Sequence, residues 1–87
     1  MTMQQETIVA GVSDFIRREA RWQADPSLLT SDYPLLDSGV IDSVTLLKMV
    51  AYLQQSFGIV IRDEDLLPEN FADIDAVVRF VGECQGK

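Results

Sequence analysis

An uninterrupted amphipathic segment, residues 43–57, constrains the fold of this chain more than any other feature. It contains neither proline nor glycine, and its apolar side chains recur with helical spacing at Leu46, Val50, Leu53 and Phe57. Ser43 lies at its start, where a hydroxyl can cap free backbone amides, and Gly58 follows its end as a left-handed stop. The pattern predicts a helix over 43–57 that buries this stripe.

Two further helices and one short helix are predicted from the remaining sequence. Residues 7–18 carry a second apolar stripe, formed by Ile8, Val9, Val12, Phe15 and Ile16. Asp73 is suited to cap a last helix, whose apolar residues keep helical spacing at Ile74, Val77, Val78 and Val81. Pro68 suits the first turn of a short helix that runs through Phe71. The predicted fold class is all-α, a small four-helix bundle of three main helices and one short helix.

The segments between these helices are irregular but apolar. From Trp22 to Asp42 prolines and a glycine break the period, yet leucine, valine and isoleucine are frequent, so we expect this connection to pack on the core. Residues 59–61 have no second strand candidate to pair with, so we interpret them as packed loop as well. A chain of 87 residues has room for one core, which predicts a single domain over 1–87 with a core of about residues 5–83.

Composition excludes several classes of function. The chain has no histidine and one cysteine, Cys84, so it lacks the residues for a zinc site of the usual thiolate and imidazole type, a disulfide framework or an imidazole base. Its formal charge of −7 disfavours binding to nucleic acid and to anionic membrane surfaces. No apolar run is long enough to cross a bilayer, and the first residues lack the pattern of a signal peptide. We therefore expect a cytoplasmic protein without metal or membrane insertion.

The start of the central helix carries a recognisable motif. The stretch Gly39-Val40-Ile41-Asp42-Ser43-Val44 is followed by Leu46-Leu47, and Phe57-Gly58-Ile59 closes the helix. This arrangement resembles the carrier proteins of fatty acid, polyketide, nonribosomal peptide and D-alanyl transfer systems, and residues 68–77 are similar to the third and fourth helices of that family. The similarity spans about residues 5–83 and implies an acyl-carrier-protein-like fold.

The resemblance implies that Ser43 bears a 4'-phosphopantetheine arm, transferred from coenzyme A by a separate phosphopantetheinyl transferase. A phosphodiester there would lie at the positive end of a helix, beside unpaired backbone amides. Asp42 is interpreted either as a partner for basic groups on the transferase or as a carboxylate that helps the helix begin. The arm would hold acyl, aminoacyl or peptidyl intermediates as thioesters, and the protein itself would not be an enzyme.

Other partners and a docking patch follow from the same resemblance. Besides the transferase, it implies an adenylating or acyltransferase loading enzyme, a downstream condensing, ketosynthase or tailoring enzyme, and a carrier that acts as a monomer. Val44 and Leu47 lie off the apolar stripe and Lys48 is charged, so we expect these residues to form the docking patch. Val40 and Ile41 are predicted to extend that patch or to line a shallow cleft for the cargo.

The central helix departs from the bacterial fatty acid carriers, whose second helix is rich in glutamate and aspartate. Residues 43–57 include no acidic residue, which is more similar to aminoacyl and peptidyl carriers. We therefore expect a freestanding carrier of nonribosomal peptide or polyketide biosynthesis, such as antibiotic biosynthesis. A D-alanyl or fatty acid carrier is the alternative within the family. An unmodified helical module that binds a protein partner is the alternative of another class.

Overall fold

A computed structural model describes residues 3–20 and 28–86, with side chains from residue 5 onward. This part of the chain contains three α-helices: α1 (Met3–Glu19), α2 (Ser43–Phe57) and α3 (Ile74–Gln85). Two single-turn 3₁₀ helices, Asp63–Asp65 and Pro68–Asn70, connect α2 to α3, and no strand occurs in these residues. The all-α prediction of three main helices and a short helix at Pro68 is confirmed, and the turn at Asp63–Asp65 is an addition to it.

Within residues 3–20 and 28–86, the helices enclose one apolar core. α1 packs chiefly against α3, and the inner side of α2 closes the bundle. The largest fully buried side chains are Phe71, Ile8, Ile16, Leu35, Met49, Leu53, Ile74, Val12, Val77 and Val81. Each such side chain stabilises the fold by about 1.5–3 kcal/mol relative to an exposed position. No helix in the described ranges is both long and apolar enough to cross a bilayer.

The inner face of α2 differs from the predicted stripe. Its buried residues are Thr45, Met49 and Leu53, whereas Leu46, Val50 and Phe57 are only partly buried. The contact surface extends around the helix because α1 meets α2 from another side, where the Tyr52 ring stacks on Phe15 with centroids 5.2 Å apart. The predicted stripe therefore marks one edge of the contact surface. Thr45 is not part of the predicted stripe, because the stripe was identified from apolar side chains and that of Thr45 is polar.

Close packing of α1 on α2 explains a glycine inside a helix. Gly11 costs α1 up to about 1 kcal/mol relative to alanine in helix propensity. A Cβ at this position would overlap the Tyr52 hydroxyl and come within 3.6 Å of the Phe57 ring. Glycine therefore lets the aromatic side chains of α2 lie directly on the backbone of α1.

The irregular segments pack on the core, as predicted. Leu29, Leu35 and Ile59 are buried, although Leu28 is largely exposed. Two backbone hydrogen bonds join the first connection to the start of α3: Leu35 N–H donates to the Ala72 carbonyl at 2.8 Å, and Asp75 N–H donates to the Ser31 carbonyl at 3.0 Å. Residues 22–27 of the predicted connection lie outside the described part of the chain.

Candidate functional site

Ser43 is the first residue of α2, and its side chain is exposed. The cap of α2 is Asp42, not Ser43 as the sequence predicts: Thr45 N–H donates to Asp42 Oδ1 at 2.8 Å. The Asp42 carbonyl also accepts the Leu46 N–H at 2.8 Å, which begins the ladder of the helix. An aspartate in extended conformation one residue earlier is as good a cap as serine, which is why the prediction was one position late. The Ser43 hydroxyl therefore takes no part in capping α2.

Val40 and Ile41 do not belong to an exposed patch. Val40 is 8% exposed and Ile41 is 2% exposed, so the prediction that they extend the exposed docking patch is wrong, and the alternative that they line a cargo cleft stays a prediction. Gly39 has a positive φ of 79°, which turns the chain so that both side chains enter the core. Ile41 N–H donates to the Leu35 carbonyl at 3.1 Å and holds this turn. These residues anchor the backbone just ahead of Ser43.

Val44 and Leu47 are each 61% exposed, and Lys48 is exposed beside them. Ala51 and Gln55 continue the same exposed row along α2, at intervals of three to four residues. We call the row of Val44, Leu47, Lys48, Ala51 and Gln55 the α2 face. The predicted exposure of Val44 and Leu47 beside Ser43 is confirmed, and the role of the α2 face in docking stays a prediction.

A cleft with the opposite character lies between the first connection and the segment before α3. It has a volume of about 370 Å³ and is lined by Asp32, Pro34, Leu36, Asp37, Pro68, Glu69, Ala72 and Asp73. We call it the acidic cleft, because its lining includes four carboxylates and no basic residue. A larger groove of about 800 Å³ lies between α1 and α3 and takes no residue from α2 or the connection before it.

The sequence profile described as "Phosphopantetheine attachment site" matches residues 10–81, which is well over half of the chain. This chain belongs to the phosphopantetheine-binding carrier protein family. Its prosthetic group is a covalent 4'-phosphopantetheine. Carriers of this family are not catalysts, and they interact with phosphopantetheinyl transferases and with synthetic enzymes. No curated protein sequence matches this carrier significantly.

The fold of the carrier is shared with a chain in a solved structure described as "Crystal structure of FAD-dependent dehydrogenase". The two chains are 24% identical with a TM-score of 0.71, over 80% of this carrier and 97% of the other chain. Because nearly all of the other chain aligns with part of this one, the likeness is confined to a small helical domain. The likeness shows the fold alone, and dehydrogenase activity is a property named for that other protein.

The start of α2 fits the prosthetic group of the family. A phosphate needs hydrogen-bond donors and a positive potential, and the first N–H groups of a helix supply both. Among the described residues, the N–H groups of Ser43 and Val44 donate no hydrogen bond, whereas that of Thr45 is used by the cap. The exposed hydroxyl of Ser43 thus lies beside two backbone donors that an attached phosphodiester can use.

Proposed function

We propose that this carrier holds biosynthetic intermediates as thioesters on a 4'-phosphopantetheine arm attached to Ser43. The observation that supports this most directly is the exposed Ser43 hydroxyl at the N-terminus of α2, with the cap supplied by Asp42. In the attachment step the serine oxygen attacks the phosphorus of the phosphopantetheine half of coenzyme A, a phosphodiester forms, and the pyrophosphate bond to the nucleotide half breaks. The nucleotide half of coenzyme A leaves, and the hydroxyl proton passes to solvent or to a base of the transferase.

The arm supplies a thiol that the chain does not otherwise present. Its single cysteine, Cys84, is half-buried near the end of α3, and histidine is absent from the sequence. A thioester on the arm is activated for acyl transfer, and the carrier raises the local concentration of that thioester at a docked enzyme. We therefore assign the protein no catalytic activity of its own, and rate effects arise from presentation.

We assign the cargo to nonribosomal peptide or polyketide biosynthesis, as acyl, aminoacyl or peptidyl groups passed between separate enzymes. This assignment is supported by α2, whose only charged residue is Lys48 and which has no acidic residue. The partners are a phosphopantetheinyl transferase, an adenylating or acyltransferase loading enzyme, and a condensing, ketosynthase or tailoring enzyme. Their docking residues are Val44, Leu47 and Lys48, and Asp42 adds a contact for the transferase.

The protein acts in this role as a single carrier domain, monomeric and cytoplasmic, without nucleic acid as a partner. The single core of the described residues supports one domain, and the formal charge of −7 opposes close association of copies. Light scattering of the arm-bearing protein tests the monomer: a mass of one chain is expected, and a dimer at micromolar concentration contradicts it.

Intact mass tests the attachment. The folded protein is incubated with coenzyme A and a broad-range phosphopantetheinyl transferase, and we expect the mass to rise by one arm. Ser43→Ala abolishes the gain, whereas Ser56→Ala, an exposed serine near the end of the same helix, leaves it unchanged. A gain that persists in Ser43→Ala places the arm elsewhere. No gain on the folded wild-type protein favours an unmodified helical interaction module that uses the same exposed apolar side chains.

Supplying the arm-bearing protein with loading enzymes tests the class of cargo. Transfer from an aminoacyl adenylate indicates a nonribosomal peptide carrier, and transfer from malonyl coenzyme A through an acyltransferase indicates a polyketide carrier. Loading only by D-alanyl adenylate, or only by fatty acid synthase enzymes, contradicts the proposed class of cargo. Such a result does not contradict the proposed attachment of the arm to Ser43.

A further inference from the structure

The charge of α2 is opposite in sign to that of the protein. The sequence has fourteen acidic and seven basic residues, yet α2 carries a single charge, the exposed Lys48. Around Lys48 the α2 face is uncharged, and its two apolar members nearest Ser43, Val44 and Leu47, are each 61% exposed. An enzyme that approaches the arm along α2 therefore meets apolar side chains and one cation.

Carboxylates near the start of α2 lie on other elements. Asp42 precedes the helix, and its Oδ1 accepts the Thr45 N–H in the cap. The acidic cleft is formed by the first connection and by the segment before α3, with no residue from α2. Lys48 is thus the one charged side chain that α2 itself presents to a surface seated along it.

The geometry points to a charge filter in docking: condensing, ketosynthase and tailoring enzymes seated along the α2 face present an apolar surface with carboxylates to it, and such enzymes with a basic surface over Lys48 are rejected. The inference rests on the proposed function, because a docking enzyme is needed only if Ser43 bears the arm. Burial of Val44 and Leu47 supplies affinity, whereas a basic surface brings like charges together at Lys48 and leaves that ammonium without a partner. Repulsion of this kind creates specificity without adding contacts.

One condensing enzyme in two forms serves as the probe. The first form has a cluster of lysine and arginine on its carrier-docking surface, and the second has glutamate in place of that cluster. The carrier receives an electrophilic pantetheine arm on Ser43, which cross-links to the active-site cysteine of a docked enzyme. Both forms of the enzyme must react equally with a small electrophile. We expect wild-type carrier to cross-link faster to the glutamate form by about tenfold, the lower end of electrostatic effects on association.

Two charge-matched variants locate the effect. Lys48→Glu on α2 is expected to reverse the preference toward the basic form. Arg79→Glu, an exposed residue of α3, changes the formal charge equally and is expected to leave the preference as in wild type. Equal rates with the two forms, a wild-type preference for the basic form, or equal shifts in the two variants each overturn the filter, since equal shifts mean that total charge governs docking.

A second pair tests the apolar part of the same surface. Leu47→Ser is expected to slow cross-linking to both forms of the enzyme, because it removes buried apolar area and leaves the charge unchanged. Val60→Ser is the control, since Val60 is 72% exposed in the loop after α2 and lies outside the α2 face. Equal rates in these two variants overturn apolar docking on α2. Failure of the arm to attach appears earlier, in the intact mass, and refutes the proposed function before any docking is measured.

Discussion

α2 and α3 begin in the same way and differ in what surrounds their first residues. Asp42 accepts the Thr45 N–H at 2.8 Å, and Asp73 accepts the Ala76 N–H at 2.7 Å, each three residues later in the chain. Both aspartates have extended backbone conformations, as helix caps do. The dipole and the first N–H groups make either helix end favourable for an anion. Local chemistry alone does not separate the two ends.

Burial separates the two helix starts. The residue after the cap is the exposed Ser43 in α2, whereas it is Ile74, only 1% exposed, in α3. The next N–H group in α3 belongs to Asp75 and donates to the Ser31 carbonyl at 3.0 Å. The corresponding N–H of Val44 makes no hydrogen bond within the described residues. A helix N-terminus thus becomes usable for attachment only where no other segment covers it.

The largest expected effect comes from copying the α2 start onto α3. Ile74→Ser places an aspartate–serine pair at the α3 start but removes a buried side chain, so we expect a loss of about 3–5 kcal/mol in the free energy of unfolding. In a Ser43→Ala background this variant is expected to accept no arm under conditions where the protein stays folded. Denaturant unfolding and intact mass measure the two effects. Arm attachment at position 74 would show that sequence, not burial, selects the site.

A smaller loss is expected where the α2 start is anchored. Ile41→Ala removes a side chain that is 2% exposed, and we expect it to cost about 2–4 kcal/mol of stability. Because Ile41 lies two residues before Ser43, we also expect arm attachment to slow. Ile41→Val, with an expected cost of about 0.5–1.5 kcal/mol, is the graded control. Neutral effects of both variants would mean that the buried turn does not position the serine.

Removal of either cap is expected to cost about 1 kcal/mol, so Asp42→Ala and Asp73→Ala form a matched pair for stability. They differ in function: only Asp42→Ala is expected to slow arm attachment, because only the α2 start is open. Asp42→Asn keeps an oxygen for the Thr45 N–H and removes the charge, so it tests whether the transferase needs that charge. We expect slower attachment in Asp42→Asn, and the free energy of unfolding measured on the same variant separates this effect from a change in the fold. An unchanged rate of arm attachment in Asp42→Asn would mean that Asp42 serves as a helix cap and does not pair with the transferase.

The smallest stability effect is expected on the exposed side of the open helix start. Val44→Asp changes a side chain that is 61% exposed, so we expect the free energy of unfolding, measured by thermal denaturation, to change by less than about 0.5 kcal/mol. Transfer of a thioester to a partner enzyme is nevertheless expected to weaken, since Val44 lies next to Ser43 on the α2 face. A large loss of stability would mean that Val44 supports the fold and would withdraw it from docking.

Particular residues show how far sequence predicts this site. The attachment motif came from the resemblance to carrier proteins. The exposure of Val44 and Leu47 was predictable because helical periodicity separates core from surface within a few residues. The burial of Val40 and Ile41 was not, because they precede the helix and their direction depends on the turn at Gly39. The burial of Thr45 was not predicted, because an apolar stripe is identified from apolar side chains and threonine carries a hydroxyl.

Local structure could be predicted from the order of residues alone: the extent of α2, the cap at Asp73, the short helix at Pro68 and the motif of the carrier family. Each of these depends on residues within one or two turns of one another, so their physics is contained in a short stretch of chain. Which capped helix start is open and which is closed follows from the packing of distant segments. The hydrogen bond from Asp75 N–H to the Ser31 carbonyl, for example, joins the start of α3 to a segment more than forty residues earlier in the chain. Exposure is a property of the packed assembly of segments, and no single segment encodes it.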